Sequence, residues 1–251
     1  MYGILNVSKS GMTSSQNKIN VISNNIVNAS TSGYKKLDVG FEDLLRTQIT
    51  NKRYPINNDS TLGNGVKTTT ELRNFTQGSL RNTEILTNLA IDGEGFFRVI
   101  RPDNTYAYTR NGEFSIDSSG KIVDASGNIL DIQFNNGKNY LNSGITENNL
   151  TISKEGKVYV GDEMIGNINL YKATGHNDLL SSGENLFIAN DGAVLIAANG
   201  DIHQGYTEMS TVNIAEEFTD LITAQRAFQL NAKGIGVADE MWSMINNLQS
   251  R

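Results

Sequence analysis

The sequence predicts an α+β chain: long N- and C-terminal helices forming a coiled-coil core, with a mainly antiparallel β domain between them. Two observations carry this. Apolar residues recur in alternating steps of four and three at both ends of the 251 residues, the spacing of a helix seam that faces another helix. Between the ends the pattern changes to short alternating runs, broken by Asn111-Gly112, Ser119-Gly120, Ser126-Gly127, Asn136-Gly137, Asp191-Gly192 and Asn199-Gly200. Such dipeptides mark tight β turns.

The first element is a helix over residues 1–30. Its stepping runs Met1, Leu5, Ser8, Met12, Ser15, Ile19, Ile22 and Ile26. It ends near Asn28, where asparagines and serines compete for backbone hydrogen bonds and Gly33 can take the left-handed conformation. Its flank holds Ser8, Gly11, Ser14, Ser15 and Asn20; these weaken an isolated helix but permit close packing.

Residues 31–80 read as an extended linker or hairpin segment. Within it, 51–64 are polar and carry Pro55, one of only two prolines, so a loop or hinge is expected before a strand from Val66 to Phe75. A β domain follows over 81–205. Its most explicit hairpin pairs Phe96–Ile100 with Tyr106–Arg110, the turn Arg101-Pro102-Asp103-Asn104 having proline preset at its second position.

The last element, within 206–251, is a helix capped by Asn213, with Glu216 three residues on to return the hydrogen bond. Its stepping runs Ile214, Phe218, Leu221, Gln225, Phe228, Ala232, Ile235, Asp239 and Trp242, and Ile222, Met241, Ile245 and Leu248 form a second stripe. Two stripes imply more than one neighbour. Gly234 and Gly236 disfavour an exposed helix, yet the stepping stays in phase across them, so a continuous helix closely approached at the glycines is expected. The bland alternative is that the two terminal helices only cover each other. Against it, the second helix is the longer by about ten residues, leaving seam uncovered.

Composition narrows the function classes. Lys plus Arg number 21 and Asp plus Glu 27, a net charge of −6, so no basic surface suits a nucleic acid partner. With no cysteine, disulfides, thiolate metal sites and cysteine nucleophiles are excluded. His176 and His203 lack a second ligand at metal-binding spacing. Asp92 and Glu94 sit between turn glycines rather than in a catalytic pair, and Gly63-Asn64-Gly65 and Gly93-Glu94-Gly95 are incomplete phosphate loops. The expectation is therefore no enzyme, no metal, no cofactor and no small-molecule substrate. The N-terminus lacks the basic and apolar regions of a cleaved secretory signal.

Five stretches together carry a resemblance. They are Ser23 to Lys36 (SNNIVNASTSGYKK), Asn88 to Val99 (NLAIDGEGFFRV), Tyr108 to Phe114 (YTRNGEF), Gln204-Gly205-Tyr206, and Glu216 to Phe228 (EEFTDLITAQRAF). In this order they resemble the bacterial flagellar axial proteins of the basal-body rod and hook family, closest to the distal-rod type. The resemblance implies a non-enzymatic subunit that polymerises helically into a hollow, torque-transmitting shaft, its terminal helices innermost. It implies further copies of the chain, neighbouring rod and hook proteins and the flagellar export apparatus as partners, and a basal-body location outside the cytoplasm, reached without a cleaved signal.

The subunit interface expected from the seams comprises Leu5, Met12, Ile19, Ile22 and Ile26 with Ile214, Phe218, Leu221, Phe228, Ile235, Trp242 and Ile245. The resemblance adds Asn24 and Asn25, in the motif leaving the first helix, and Gln225 and Arg226 in the last. Thr211 stands where the family carries asparagine, and 51–64 is short for the distal-rod type. A proximal-rod or hook relative is therefore an alternative. Another, from a different class, is an extracellular β-rich binding module with Tyr106, Tyr108 and Tyr140 as exposed aromatics.

Overall fold

A computed structural model of the chain describes residues 2–44, 47–48, 61–135, 137–140, 142–175 and 178–249. Two compact units are present. One comprises Met1–Ala29, Lys36–Asn74 and Val212–Arg251; the other Ser30–Lys35 with Phe75–Thr211.

The first unit is built on two helices, α1 (Tyr2–Val27) and α2 (Ile214–Gln249). The α2 start follows its capping chemistry: the Asn213 side-chain oxygen accepts from the Ala215 N–H at 3.1 Å, and Glu216 and Glu217 place negative charge in the first turn, where the helix dipole favours it. The α1 end is closed by Asn28, whose side-chain amide donates to the Asn24 carbonyl at 2.9 Å. α2 runs unbroken through Gly234 and Gly236. Only the first of these is closely approached: a Cβ on Gly234 would stand 2.9 Å from Ser8 Oγ, whereas one on Gly236 would meet nothing within 4 Å.

The helices pack antiparallel. Gly11 lies against Asn231 and Gly234 against Ser8, while Asn25 donates to Glu217 at 3.1 Å. At that register Tyr2 falls opposite Glu240, so Met241 to Gln249 run past the start of α1, roughly 13 Å of helix. The small residues on α1 are what allow the approach: Ser8, Gly11, Ser14 and Ser15 are all buried.

A ribbon completes this unit. Leu37–Asp38 pairs with Leu72–Arg73, Phe41–Asp43 with Val66–Thr68, and Thr47–Gln48 with Thr61–Leu62, each antiparallel. The single strand expected from Val66 to Phe75 is thus two short ones. The interruption is at Gly40 and Thr69, where Thr69 Oγ1 takes the Gly40 N–H at 2.9 Å in place of a ladder bond. Of the loop expected at 51–64, residues 51–60 lie outside the described residues, as does His176.

The second unit is β throughout. Its central strand Phe96–Ile100 pairs antiparallel with Tyr106–Thr109, Ile129–Leu130 and Leu170–Ala173. Tyr106–Thr109 also pairs with Leu186–Ala189, which pairs with Leu179–Gly183. The expected hairpin is present in register, Tyr106 opposite Ile100, and its turn places Asn104 at φ 64°. Alternation of side chains across a strand sends Phe97 and Val99 into the main core with Leu89, Ile91, Ile122 and Leu130. It sends Phe96 to the opposite face, with Tyr108 and Phe187. A four-stranded sheet, Gln133–Phe134, Glu163–Asn167, Lys157–Val160 and Leu150–Ile152, contributes Ile165, Val158 and Leu150 to the main core.

Candidate assembly surface and the buried ionic cluster

The two helices distribute the expected interface residues over several faces. Against α1, α2 presents Glu217, Ala224 and Ala238, all buried, with Leu221, Phe228, Asn231 and Ile235 half-buried beside them. The apolar stepping read from sequence is therefore out of phase on one side: Phe218, Gln225, Ala232 and Asp239 are exposed, and the buried positions are one residue earlier. Polar groups cause the difference. Glu217 is buried because Lys36 approaches it at 2.7 Å and Asn25 donates to it, so a charged residue occupies a seam position that apolar periodicity assigns to its neighbour.

Two apolar strips of α2 remain uncovered, on different sides of the helix and away from the face that meets α1. Leu230, Val237, Met244 and Leu248 are 54 to 78% exposed on one side; Ile214, Phe218 and Ile222 are 48 to 52% exposed on another. Trp242 and Ile245 are exposed as well, in the stretch that outruns α1. Gln225 and Arg226 are exposed among them.

On α1, Leu5, Met12, Ile19 and Ile26 are half-buried at seven-residue intervals. Asn24 is exposed, while Ile22 and Asn25 are buried. Asn25 works inside its own unit: its side-chain amide donates to the Leu37 carbonyl at 2.8 Å and its oxygen accepts from the Leu37 N–H at 3.0 Å. It thus clamps the ribbon to α1. Lys36 titrates above its ordinary range; partial burial opposes its charge, but the hydrogen bond and charge of Glu217 outweigh that cost.

The β unit holds a polar cluster that the sequence reading missed. Glu208 and Lys35 are fully buried and meet at 2.6 Å. Glu208 also accepts from the Gly78 N–H at 2.7 Å and from Arg110 at 3.2 Å. Lys35 donates onward to the Thr76 carbonyl at 2.6 Å and Arg110 to the Gly93 carbonyl at 2.8 Å. Burial pulls the Lys35 ammonium below its usual pKa, with Glu208 pulling the other way. The backbone converges tightly here: Gly33 adopts φ 68° and a Cβ on it would stand 2.5 Å from the Asn111 nitrogen. Lys35 and Arg110 fall within the sequence stretches singled out above, and Glu208 follows Tyr206 by two residues; those stretches were the available signal.

The aromatics proposed for a binding module separate. Tyr106 is half exposed, with Arg98 stacked 4.8 Å from its ring centroid. Tyr108 is buried, and Tyr140 is half-buried with its hydroxyl donating to the Leu130 carbonyl. Among the described residues no group of three or more His, Cys, Asp or Glu is placed to hold a metal ion. No helix is long and apolar enough to cross a membrane among the described residues.

Comparison with known proteins falls on the same segments. A family described as "Flagella basal body rod protein" matches residues 5–35, one described as "Flagellar hook protein FlgE/F/G D1 domain" matches 90–160, and one described as "Flagellar basal body rod FlgEFG protein C-terminal" matches 203–248. The chain is 36% identical to the "Flagellar basal-body rod protein FlgG" of Borreliella burgdorferi, over 96% of each chain. It is 34% identical to the protein of that name in Caulobacter vibrioides, over 98% of this chain and 99% of the other. To the "Flagellar hook-basal body complex protein FlhP" of Bacillus subtilis it is 29% identical, over 93% and 94%.

Proposed function

Since this chain belongs to the family of FlgG-type flagellar basal-body rod proteins, we propose that it is a structural subunit of the distal rod that polymerises through its terminal helices into a hollow, torque-bearing shaft. The observation that carries the reading is the pair of uncovered apolar strips on α2, Leu230–Val237–Met244–Leu248 and Ile214–Phe218–Ile222. Leaving large apolar side chains in water is unfavourable, and covering each gains roughly 1.5 to 3 kcal/mol. The strips differ in composition and lie on different flanks, so a second copy covering one leaves the other open. Contacts of this heterologous kind generate open helical filaments rather than closed dimers.

Seen this way, α1 and α2 form one composite strut. The seam inside the chain supports the strut, and the flanks join it to neighbours in a coiled-coil core. The partners are further copies, neighbouring rod and hook proteins, and the export apparatus that delivers the chain beyond the cytoplasm. The work is mechanical and involves no bond chemistry.

Leu230→Asp combined with Val237→Asp tests the reading, because both positions are exposed and leave the intrachain seam alone. The full-length variant is expected to keep its helix content by circular dichroism, to fail to sediment as polymer, and to leave a strain lacking the native protein unable to swim. Polymer yield and swimming equal to the native protein would overturn the reading. Phe228→Asp is a poorer test, because Phe228 is half-buried against α1 and its loss weakens the strut itself.

A further inference from the structure

We propose that three charged residues of α2 act as an assembly filter: Arg226, Lys233 and Glu240 bar two free copies from closing on each other along the outer face of this helix, and so keep its apolar residues open for a non-equivalent surface of a neighbour. This rests on the self-assembly reading above and adds to it a reason why the contact does not close. Stepping alternately by four and three from Arg226 gives Leu230, Lys233, Val237, Glu240 and Met244, the spacing of a helix seam. All six residues are exposed.

Arg226 follows buried Ala224 by two residues, and Glu240 follows buried Ala238 by two, a rotation of about 200° on a helix. The seam therefore runs along the side of α2 turned away from α1. Leu230, Val237 and Met244 are 54 to 68% exposed on it, and a charged residue precedes each of them. Between Leu221 and Gln249 the only other charged residue is Asp239, which lies off the seam because adjacent residues are about 100° apart. None of the three seam charges joins an ion pair among the described residues. Whatever packs on the seam has to answer them.

Two symmetric arrangements are open to a pair of identical seams, and the charges oppose both. In a parallel pair in register each residue meets its own copy, so Arg226 faces Arg226, Lys233 faces Lys233 and Glu240 faces Glu240 between the apolar layers. Three like-charge contacts result. In an antiparallel pair the apolar positions of one helix lie against the charged positions of the other: Leu230 against Glu240, Val237 against Lys233, Met244 against Arg226. Each charge loses water to hydrocarbon without gaining a partner. Sliding the antiparallel pair by whole heptads changes which residues meet but keeps charge on hydrocarbon. Only a non-equivalent stretch of a neighbour escapes both arrangements, and contacts of that kind do not close. The same Leu, Val and Met interleaved with neutral residues would favour a closed dimer, in which growth stops at two.

Reversing the charges tests this without making the seam more apolar. Arg226→Glu, Lys233→Glu and Glu240→Lys are combined in one full-length chain, and Leu230→Cys is added both to that chain and to one with the native charges; no native cysteine competes. All four positions are exposed, so the intrachain seam is left alone. Each chain is oxidised by itself and in equal mixture, in the soluble fraction before polymer sediments. In the mixture every seam charge meets its opposite in register, and the two cysteines face each other. Disulfide-linked heterodimer is expected there at roughly tenfold or more over the linked product of either chain alone. Equal linkage of the native-charge chain by itself would overturn the proposal, since the charges would then be no bar. No gain in the mixture would overturn it too, since something else would then hold the copies apart. Neither result bears on the helix-based reading, which stands or falls on the polymer yield of the chain carrying Leu230→Asp and Val237→Asp.

Discussion

Glu208 shows how one side chain organises a region. Its carboxylate is shared among the Lys35 ammonium, the Arg110 guanidinium and the Gly78 N–H, so segments distant in sequence meet at a single charge. Removing one member of a buried ionic group strands the others, which is costlier than the net worth of the pair. Glu208→Gln keeps the shape and removes the charge, leaving Lys35 and Arg110 uncompensated. The expected loss is about 3 to 5 kcal/mol of stability, measured by urea unfolding of the β unit through its near-ultraviolet circular dichroism. Adding Lys35→Met should recover part of that loss. A change within about 0.5 kcal/mol for Glu208→Gln would show that the cluster is not a structural keystone.

At the level of elements, α2 contains its own control experiment. Gly234 and Gly236 are two residues apart in one helix, but only Gly234 meets a neighbour, Ser8. Gly236→Ala should stabilise by about 0.5 to 1 kcal/mol through helix propensity alone. Gly234→Ala should gain less, because Ser8 must move; thermal unfolding followed at the helical circular dichroism bands compares the two directly. Equal gains would mean the helices are not in the close contact described.

The helices also show what a sequence reveals about a fold. Caps, ends and continuity were legible because they depend on local chemistry: Asn213 before α2, Asn28 after α1, an unbroken apolar phase through the glycines. The Phe96–Ile100 and Tyr106–Thr109 hairpin was legible for the same reason. The face that α2 turns to α1 was not, since it depends on Glu217 and Asn231, polar residues buried by partners elsewhere in the chain. The ribbon strand starting at Val66 broke because Thr69 answers Gly40, a pairing no local pattern encodes. The ionic cluster joins three charged residues from 35 to 208, each of which reads locally as an ordinary surface residue.

For the whole molecule, the length difference between the helices bears on the proposed assembly. Met241 to Gln249 pass beyond the start of α1, and Met244, Ile245 and Leu248 stand 41 to 78% exposed there. A chain ending at Ser243 should therefore keep its intrachain helix pair, with stability changed by no more than about 0.5 kcal/mol, and yet associate poorly. Analytical ultracentrifugation across a concentration series reads that outcome, and unimpaired association of the shortened chain would place the driving force elsewhere.

That overhang has a consequence for size control. In the proposed shaft each arriving copy would cover the exposed tip of the last and bring an identical one of its own, so the growing end after any number of additions would be chemically the same as after the first. The tip itself would carry no record of how far growth had gone. Termination must come from outside the polymer, through exhaustion of supply, a physical barrier in its path, or a different protein that accepts the tip and presents none in return.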